Sequence, residues 1–383
     1  MSRNVKKILV VLNDWPWNMA GGSNYHTIKI IQYWTHYWND HDIDVLVPRL
    51  GYGYAQRQLD VKGNAIVTDS FFEREASTLF GRVLLICSRI LRVLRSPPQK
   101  KYDDIIASSH YLTDVLPSVY LHWRNPSSKL IAYYHSALVS EKSVGMFFLR
   151  KLNDAISVPL LRKYADLIFA MNEPIKDSLI ARGVDEKRIL ITNNGVDEIV
   201  HEAESPVPVF DACFVGRLER GKGIFDLVRI WKAVSSEIPT AKLVMIGDGS
   251  EKDRLTKLIE REHLTKNITL CGFVEETTKF DILRKSTLFV LPSSVDAWGI
   301  VIAEAMSCGV PVIVYDLPAF RTIWGSTIVY VPEGDKRVFA ETVVKLLEDA
   351  QLRSELSKNG LKRLRELLWV DIAKYEANAI ENA

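Results

Sequence analysis

Asp296 and Glu304 stand eight positions apart with Gly299 between them, inside the stretch 293–309, SSVDAWGIVIAEAMSCG. The apolar run 288–291 ahead of it reads as a short buried strand, and Pro292 ends that strand. From Ile300 the apolar spacing turns helical, through Ile302, Ala303 and Met306. One carboxylate therefore arrives just before a helix and the second sits about one turn inside it. Gly299 and the first free N–H groups of the helix lie between them. A helix N-terminus carries roughly half a positive charge and binds anions, phosphate above all. A carboxylate one turn beyond such amides reaches vicinal hydroxyls, as of a ribose, and one ahead of them reaches a second polyol. An anion flanked by two polyols is what a nucleotide sugar presents. The plainer alternative is that any strand of a parallel sheet leads to a loop and helix, and that acids near a helix start are ordinary partners of its dipole.

A second stretch bears on phosphate. Gly216, Gly221 and Lys222 satisfy Gly-x-x-x-x-Gly-Lys, after a strand and before a helix. That is the context of a triphosphate-binding loop, whose next residue is Ser or Thr to hold magnesium. Here it is Gly223, so the metal chemistry is lost. What survives is Arg217 and Lys222 on a flexible loop, two cations that can neutralise a diphosphate without metal, unless they are simply surface charges on a turn. Gly21 and Gly22 precede a helix and let a backbone approach a ligand. His135 ends the strand 130–134, where open α/β sheets place ligands, although a hydrogen-bonded structural His would look the same. Asp42 and Asp44 have the Asp-x-Asp spacing of metal-dependent sugar transferases. Asp44 starts an apolar strand with Asp42 at its exposed mouth, which favours a turn role, and no metal site is expected.

These groups need a framework of alternating strands and helices. Apolar runs at 7–12, 44–47, 65–68, 104–108, 130–134, 167–171 and 188–192 alternate with helical patterns, among them one from Ser23 and one opening at Pro174. The polar stretch 198–209, with Pro206 and Pro208, is the best linker. The alternation then restarts with strands at 211–215, 242–246, 268–270, 288–291 and 310–314, and three helical patterns close the chain. The expected architecture is two doubly wound, Rossmann-like α/β domains. Asn194-Gly195 reads as a sharp turn.

Composition bounds the rest. At 383 residues two domains are expected, and 47% hydrophobic with 25% charged residues is ordinary for a globular protein. A net charge of +2 gives no field for nucleic acid. Cys87, Cys213, Cys271 and Cys308 sit apart in apolar surroundings and read as core thiols of a reducing, cytoplasmic compartment. The run 8–12 is too short for a signal peptide, and no stretch is long enough to span a bilayer. The segment 77–101 carries Arg82, Arg89, Arg92, Arg95, Lys100 and Lys101 and no acid, with apolar residues at helical spacing. Such a helix lies on an anionic membrane surface or serves as a domain helix with a solvated basic face. A second basic, apolar segment, 146–164, keeps the membrane reading alive.

The loop GRLERGKG, followed roughly 70 residues later by PSSVDAWGIVIAEAMSCGVPVI, resembles the retaining glycosyltransferases of family 4, which have the GT-B fold. The resemblance covers most of the chain and includes Gly21-Gly22, His135, the Asn-Gly-Val-Asp run at Asn194, Gly247-Asp248-Gly249, Gly272-Phe273 and the closing helix around Trp369. It implies two domains facing each other across a cleft: an acceptor-binding domain, 1–200 plus a returning helix 368–383, and a donor-binding domain, 207–367. It implies that Arg217 and Lys222 hold the donor diphosphate and Glu304 the ribose, that Asp296 faces the transferred sugar, and that His135 lies by that sugar or the acceptor. Gly22 would put an N–H near the diphosphate, and Gly247, Phe273, Gly299 and Ile300 complete the donor set. The family usually has Glu at both ends of the eight-residue interval; Asp296 is one methylene shorter, which leaves the donor sugar open. The implied activity is metal-independent, cofactor-free transfer of a hexose-type sugar from a UDP- or GDP-sugar to a glycan or lipid-linked acceptor, at the inner face of the cell membrane. A GT-B-fold sugar-nucleotide epimerase and a non-catalytic nucleotide-sugar-binding protein are the alternatives.

Overall fold

The computed structural model describes residues 5–13, 22–37, 41–49, 52, 65–68, 79–135, 144–197 and 207–383. The chain divides into two units, Met1–Gly195 with Trp369–Ala383, and Val196–Leu368. Most of the polar stretch 198–209 lies outside the described residues, as do Gly21 and the loop following His135.

In the first unit seven strands form one sheet: β1 (Lys7–Val11), β2 (Asp42–Pro48), β3 (Ala65–Thr68), β4 (Asp104–Ala107), β5 (Lys129–Tyr134), β6 (Leu167–Ala170) and β7 (Ile189–Ile191). Their order is β3-β2-β1-β4-β5-β6-β7, and every pairing is parallel. Strands covered on both faces need near-continuous apolar runs, and Ile8 to Val11 are all fully buried. The described helices between them are α1 (Gly22–Tyr37), α2 (Leu79–Arg95), α3 (Leu112–Arg124), α4 (Val144–Tyr164) and α5 (Glu173–Ala181). The start of α5 follows its sequence signal: Pro174 sits in the first turn, and the Asn172 carboxamide oxygen accepts the Ile175 N–H at 2.9 Å.

The second unit has six strands: β8 (Phe210–Val215), β9 (Leu243–Ile246), β10 (Ile268–Gly272), β11 (Ser286–Leu291), β12 (Val312–Tyr315) and β13 (Val329–Val331). Their order is β10-β9-β8-β11-β12-β13, again all parallel. The helices are α6 (Ile224–Glu237), α7 (Lys252–Arg261), α8 (Glu276–Arg284), α9 (Ile300–Ser307), α10 (Pro318–Trp324), α11 (Lys336–Glu348) and α12 (Ala350–Leu364). Where three helical patterns were expected after β12, four helices and a strand occur. The seven residues of α10 and the three of β13 are too short to display a period.

The last helix, α13 (Trp369–Asn382), belongs to the first unit and packs on α1. Trp369 is fully buried, and the Trp34 indole N–H donates to the Ala373 carbonyl at 3.0 Å. Asn194-Gly195 is not the sharp turn its sequence suggests. Residues 192–195 run without regular structure, and a Cβ on Gly195 would lie 2.7 Å from the Trp369 ring and 2.8 Å from its backbone. Glycine is needed there for close approach.

Two further expectations are corrected. Asp42 and Asp44 lie within β2 and form no turn: both accept from Lys100 Nζ, at 2.7 and 2.8 Å, and the Tyr102 hydroxyl donates to Asp44 at 2.8 Å. Of the four cysteines, Cys87 is exposed on α2, and only Cys213 is fully buried.

Candidate active site

In the second unit the strand order turns around between β8 and β11. From β8 the chain steps outward to β9 and β10, then returns to β11 and continues to β12 and β13. Loops leaving the carboxyl ends of two such strands diverge and leave a crevice, the usual ligand position of open α/β sheets. Those two loops are GRLERGKG after β8 and SSVDAWG after β11. They are fastened together. The Ser294 N–H and the Ser293 hydroxyl both donate to the Gly221 carbonyl, each at 3.0 Å. Gly223 has φ +70°, and a Cβ there would fall 1.7 Å from the Pro292 carbonyl oxygen. No Ser or Thr fits, which is the physical reason this loop lacks the magnesium-binding hydroxyl. The loop is also tied to the one after β9: the Leu218 N–H donates to the Asp248 backbone carbonyl at 2.9 Å and the Leu218 carbonyl accepts the Glu251 N–H at 3.1 Å.

Lys222, Asp296 and Gly299 meet at this crevice. Lys222 Nζ is 2.7 Å from Asp296 Oδ2, while Asp296 Oδ1 accepts the backbone N–H groups of Gly299 at 2.9 Å and Trp298 at 3.3 Å. Burial works to raise the Asp296 carboxyl, but the Lys222 ammonium and the two amides outweigh it and hold the acid below its ordinary value. The loop is anchored by Trp298, 2% exposed, whose ring meets Trp324 edge-on at 4.7 Å and whose carbonyl accepts the Trp324 indole N–H at 3.0 Å. Ile300 opens α9, and Glu304 lies one turn along it. Glu304 Oε1 pairs with Lys279 Nζ of α8 at 2.7 Å, and Oε2 is buried with no hydrogen-bond partner among the described residues. Burial raises the Glu304 carboxyl, against the opposing pull of Lys279. Lys279 was not anticipated. It looks like any helix-surface lysine, and only the fold brings it to Glu304.

The other anticipated donor residues are more dispersed. Arg217 is engaged by Glu219 of its own loop at 2.9 Å, and its side chain is exposed. Gly247 follows β9 and donates its N–H to the Gly272 carbonyl at 2.8 Å, and Phe273 follows β10 with its ring exposed.

The first unit has its own reversal, between β1 and β4. Here Asp114, fully buried in the first turn of α3, accepts from the Asn13 N–H at 2.7 Å and from the hydroxyls of Ser108 at 3.0 Å and Ser109 at 2.5 Å. Gly22 opens α1. His135, just past the end of β5, has Nε2 3.0 Å from the Ser108 carbonyl. That carbonyl can only accept, so Nε2 carries the proton and Nδ1 is the acceptor nitrogen. The ring lies parallel to Tyr133 at 5.7 Å and edge-on to His26 at 5.5 Å. Burial, reinforced by His26, pushes the His135 pKa well below 6.5, so the ring is neutral near pH 7.

Behind His135 lies a buried cluster that sequence reasoning missed. Glu376 of α13 is fully buried. Its Oε1 lies 3.1 Å from His26 Nε2 and accepts the Thr192 hydroxyl; Oε2 accepts the Tyr133 hydroxyl at 2.5 Å. His26 Nδ1 is 2.9 Å from Asn194 Oδ1.

Two parallel-sheet units, with a last helix that rejoins the first, define the GT-B class of fold. Residues 196–363 match the family described as Glycosyl transferases group 1, and residues 20–198 match Glycosyltransferase Family 4. The chain belongs to this glycosyltransferase family. Among curated relatives, the capsular polysaccharide biosynthesis glycosyltransferase CapM of Staphylococcus aureus is 27% identical, over 50% of this chain and 52% of its own. The phosphatidyl-myo-inositol mannosyltransferase of Mycobacterium leprae is 29% identical, over 42% of this chain and 43% of its own. The matched stretches thus span about half the length of these relatives or less. Among solved structures, Anabaena HepE in complex with UDP and glucose superposes with a TM-score of 0.76 at 18% identity, over 99% of this chain and 100% of that one.

Proposed function

We propose that the protein transfers a hexose-type sugar from a nucleoside diphosphate sugar, a UDP- or GDP-sugar, to a hydroxyl of a glycan or lipid-linked acceptor, with retention and without a metal. The observation that carries this reading is the meeting of Lys222, Asp296 and the Gly299 amide at the β8/β11 reversal, with the unpartnered Oε2 of Glu304 one turn further along α9. A cation and helix amides suit a diphosphate; a buried carboxylate oxygen with spare acceptor capacity suits ribose hydroxyls. The second unit is the donor-binding one in this reading, and the first binds the acceptor. The HepE structure holds UDP and glucose, which supports a donor of this class.

The chemistry follows from where charge develops. As the bond between the anomeric carbon and the phosphate oxygen breaks, its electron pair stays with the diphosphate. Lys222 and the amides opening α9 stabilise that charge, with Arg217 as the second cation on the loop after β8; donors fixed before the reaction need no reorganisation during it. The acceptor oxygen bonds to the same face of the anomeric carbon, and its proton passes to the departing phosphate oxygen. Asp296 addresses the sugar. With Nε2–H held by Ser108, His135 offers Nδ1 as an acceptor to a hydroxyl. The test is product analysis of a donor incubated with and without acceptor, in EDTA, with the anomeric configuration read by NMR. Retention in the presence of EDTA is expected; inversion, or a requirement for metal, would contradict the mechanism.

A membrane-facing surface belongs to the same proposal. On α2 the exposed side chains include Phe80, Val83 and Leu91, and the helix carries no acid and four arginines, of which Arg82, Arg92 and Arg95 reach the surface while Arg89 is buried and donates to the Asn13 carbonyl at 3.0 Å. On α4 they include Phe148, Leu152 and Ile156, with Lys151, Arg162 and Lys163 on the same helix. Both helices pack on α3. Apolar side chains flanked by cations suit an anionic lipid surface at the inner face of the cell membrane. No helix of the described residues is long and apolar enough to cross a membrane.

A further inference from the structure

We infer that Asp296 is an internal counter-anion, which the donor's diphosphate must displace from Lys222 and the amides of residues 298 and 299, so that this acid limits how tightly the nucleoside diphosphate is held. The inference rests on the donor site proposed above and goes beyond it, since there Asp296 addresses only the sugar. Its basis is that the groups best suited to a phosphate are already committed to one carboxylate: Oδ2 to Lys222 at 2.7 Å, and Oδ1 to Gly299 at 2.9 Å and Trp298 at 3.3 Å. Carboxylate and phosphate oxygens compete for the same donors, because both are anionic acceptors of charge-assisted hydrogen bonds. They cannot share the site without like-charge repulsion.

Backbone movement offers no easy escape. The bonds of Ser293 and Ser294 to the Gly221 carbonyl, and the contact between Gly223 and Pro292, lock the lysine-bearing loop to the acid-bearing loop. Exchange therefore runs through rotation of the Asp296 side chain. Once turned away it is placed to meet a sugar hydroxyl; when the sugar has left it can return and expel the product. The short Asp side chain favours this, because it reaches amides two and three residues ahead in the manner of an Asx turn. Glu, with one more methylene, is less suited to that local bond.

The experiment is isothermal titration of UDP and of GDP, in metal-free buffer, into the wild type, Asp296→Asn, Lys222→Met and the double variant. In Asp296→Asn the carboxamide oxygen still accepts the Gly299 N–H while Lys222 is released. The inference predicts about two- to fivefold tighter binding of the preferred nucleoside diphosphate, the scale of losing one partly exposed competing ion pair. The gain should vanish on the Lys222→Met background, and donor turnover should fall in Asp296→Asn although the product binds better. Asp296→Ser, which keeps a short acceptor for the local amides, should shift affinity the same way. Unchanged or weaker binding in Asp296→Asn and Asp296→Ser overturns the inference and leaves the donor site standing, as does a gain that survives Lys222→Met. If neither nucleotide binds the wild type or any variant, the donor site itself falls, and the inference with it.

Discussion

Lys222 is the residue on which the most chemistry converges. Its side chain is about three-quarters sheltered, and in the proposed reading it faces the departing diphosphate. Removing one preorganised donor from such a position costs on the order of 10²–10³ in turnover. Lys222→Ala is therefore expected to lose about that much in kcat, with the protein still folded by circular dichroism; unchanged turnover would remove Lys222 from the diphosphate site. Arg217 illustrates the limit of reading single residues. The sequence pairs it with Lys222 on one loop, whereas in the fold its guanidinium pairs with Glu219 and is exposed. Spacing places two cations on a loop without saying how each is partnered before a ligand arrives. Lys279 was hidden for a related reason: its partner, Glu304, is on another helix, and nothing local marks the pair.

At the scale of elements, the strands and helices around the donor loops were legible because α9 opens where a Gly precedes a helical period, and β8 and β11 each end in a short, continuous apolar run. The role of α13 was legible only through resemblance. Its amphipathic pattern says that it packs, not on what; the partner is α1, more than 300 positions earlier in the chain. What fixes it is Glu376, buried among His26, Tyr133 and Thr192. A buried carboxylate with these partners is costly to mutate, because truncation leaves the His26 and Tyr133 polar groups without their acceptor. Glu376→Ala is expected to destabilise the first unit by about 3–5 kcal/mol, read as a shift in the urea midpoint. A loss below about 1 kcal/mol would mean that α13 is held by Trp369 and its apolar neighbours alone. Because Tyr133 stacks on His135, the same cluster also forms the back wall of that histidine.

At the scale of the whole molecule, the two units follow one sheet plan. Each unit reverses its strand order once, and each reversal gathers loops that hold polar or charged groups. The surface of the first unit adds a second expectation. If α2 and α4 rest on lipid, the protein should sediment with phosphatidylglycerol-containing liposomes at low salt, and Phe80→Ser with Leu91→Ser should reduce that binding several-fold, each large apolar contact being worth about 1 kcal/mol or more. No sedimentation even at low ionic strength would discard the membrane surface while leaving the transferase reading intact. The most direct measurement of the central claim is a donor screen. Purified protein is incubated with UDP-, GDP-, ADP- and dTDP-sugars and with ATP, with and without EDTA, beside Glu304→Ala, and thermal shift and nucleoside diphosphate release are read together. The account predicts one nucleotide sugar that binds and turns over slowly without metal, both lost in the variant. Magnesium-dependent ATP turnover, or a nucleotide sugar bound equally by Glu304→Ala, would contradict it.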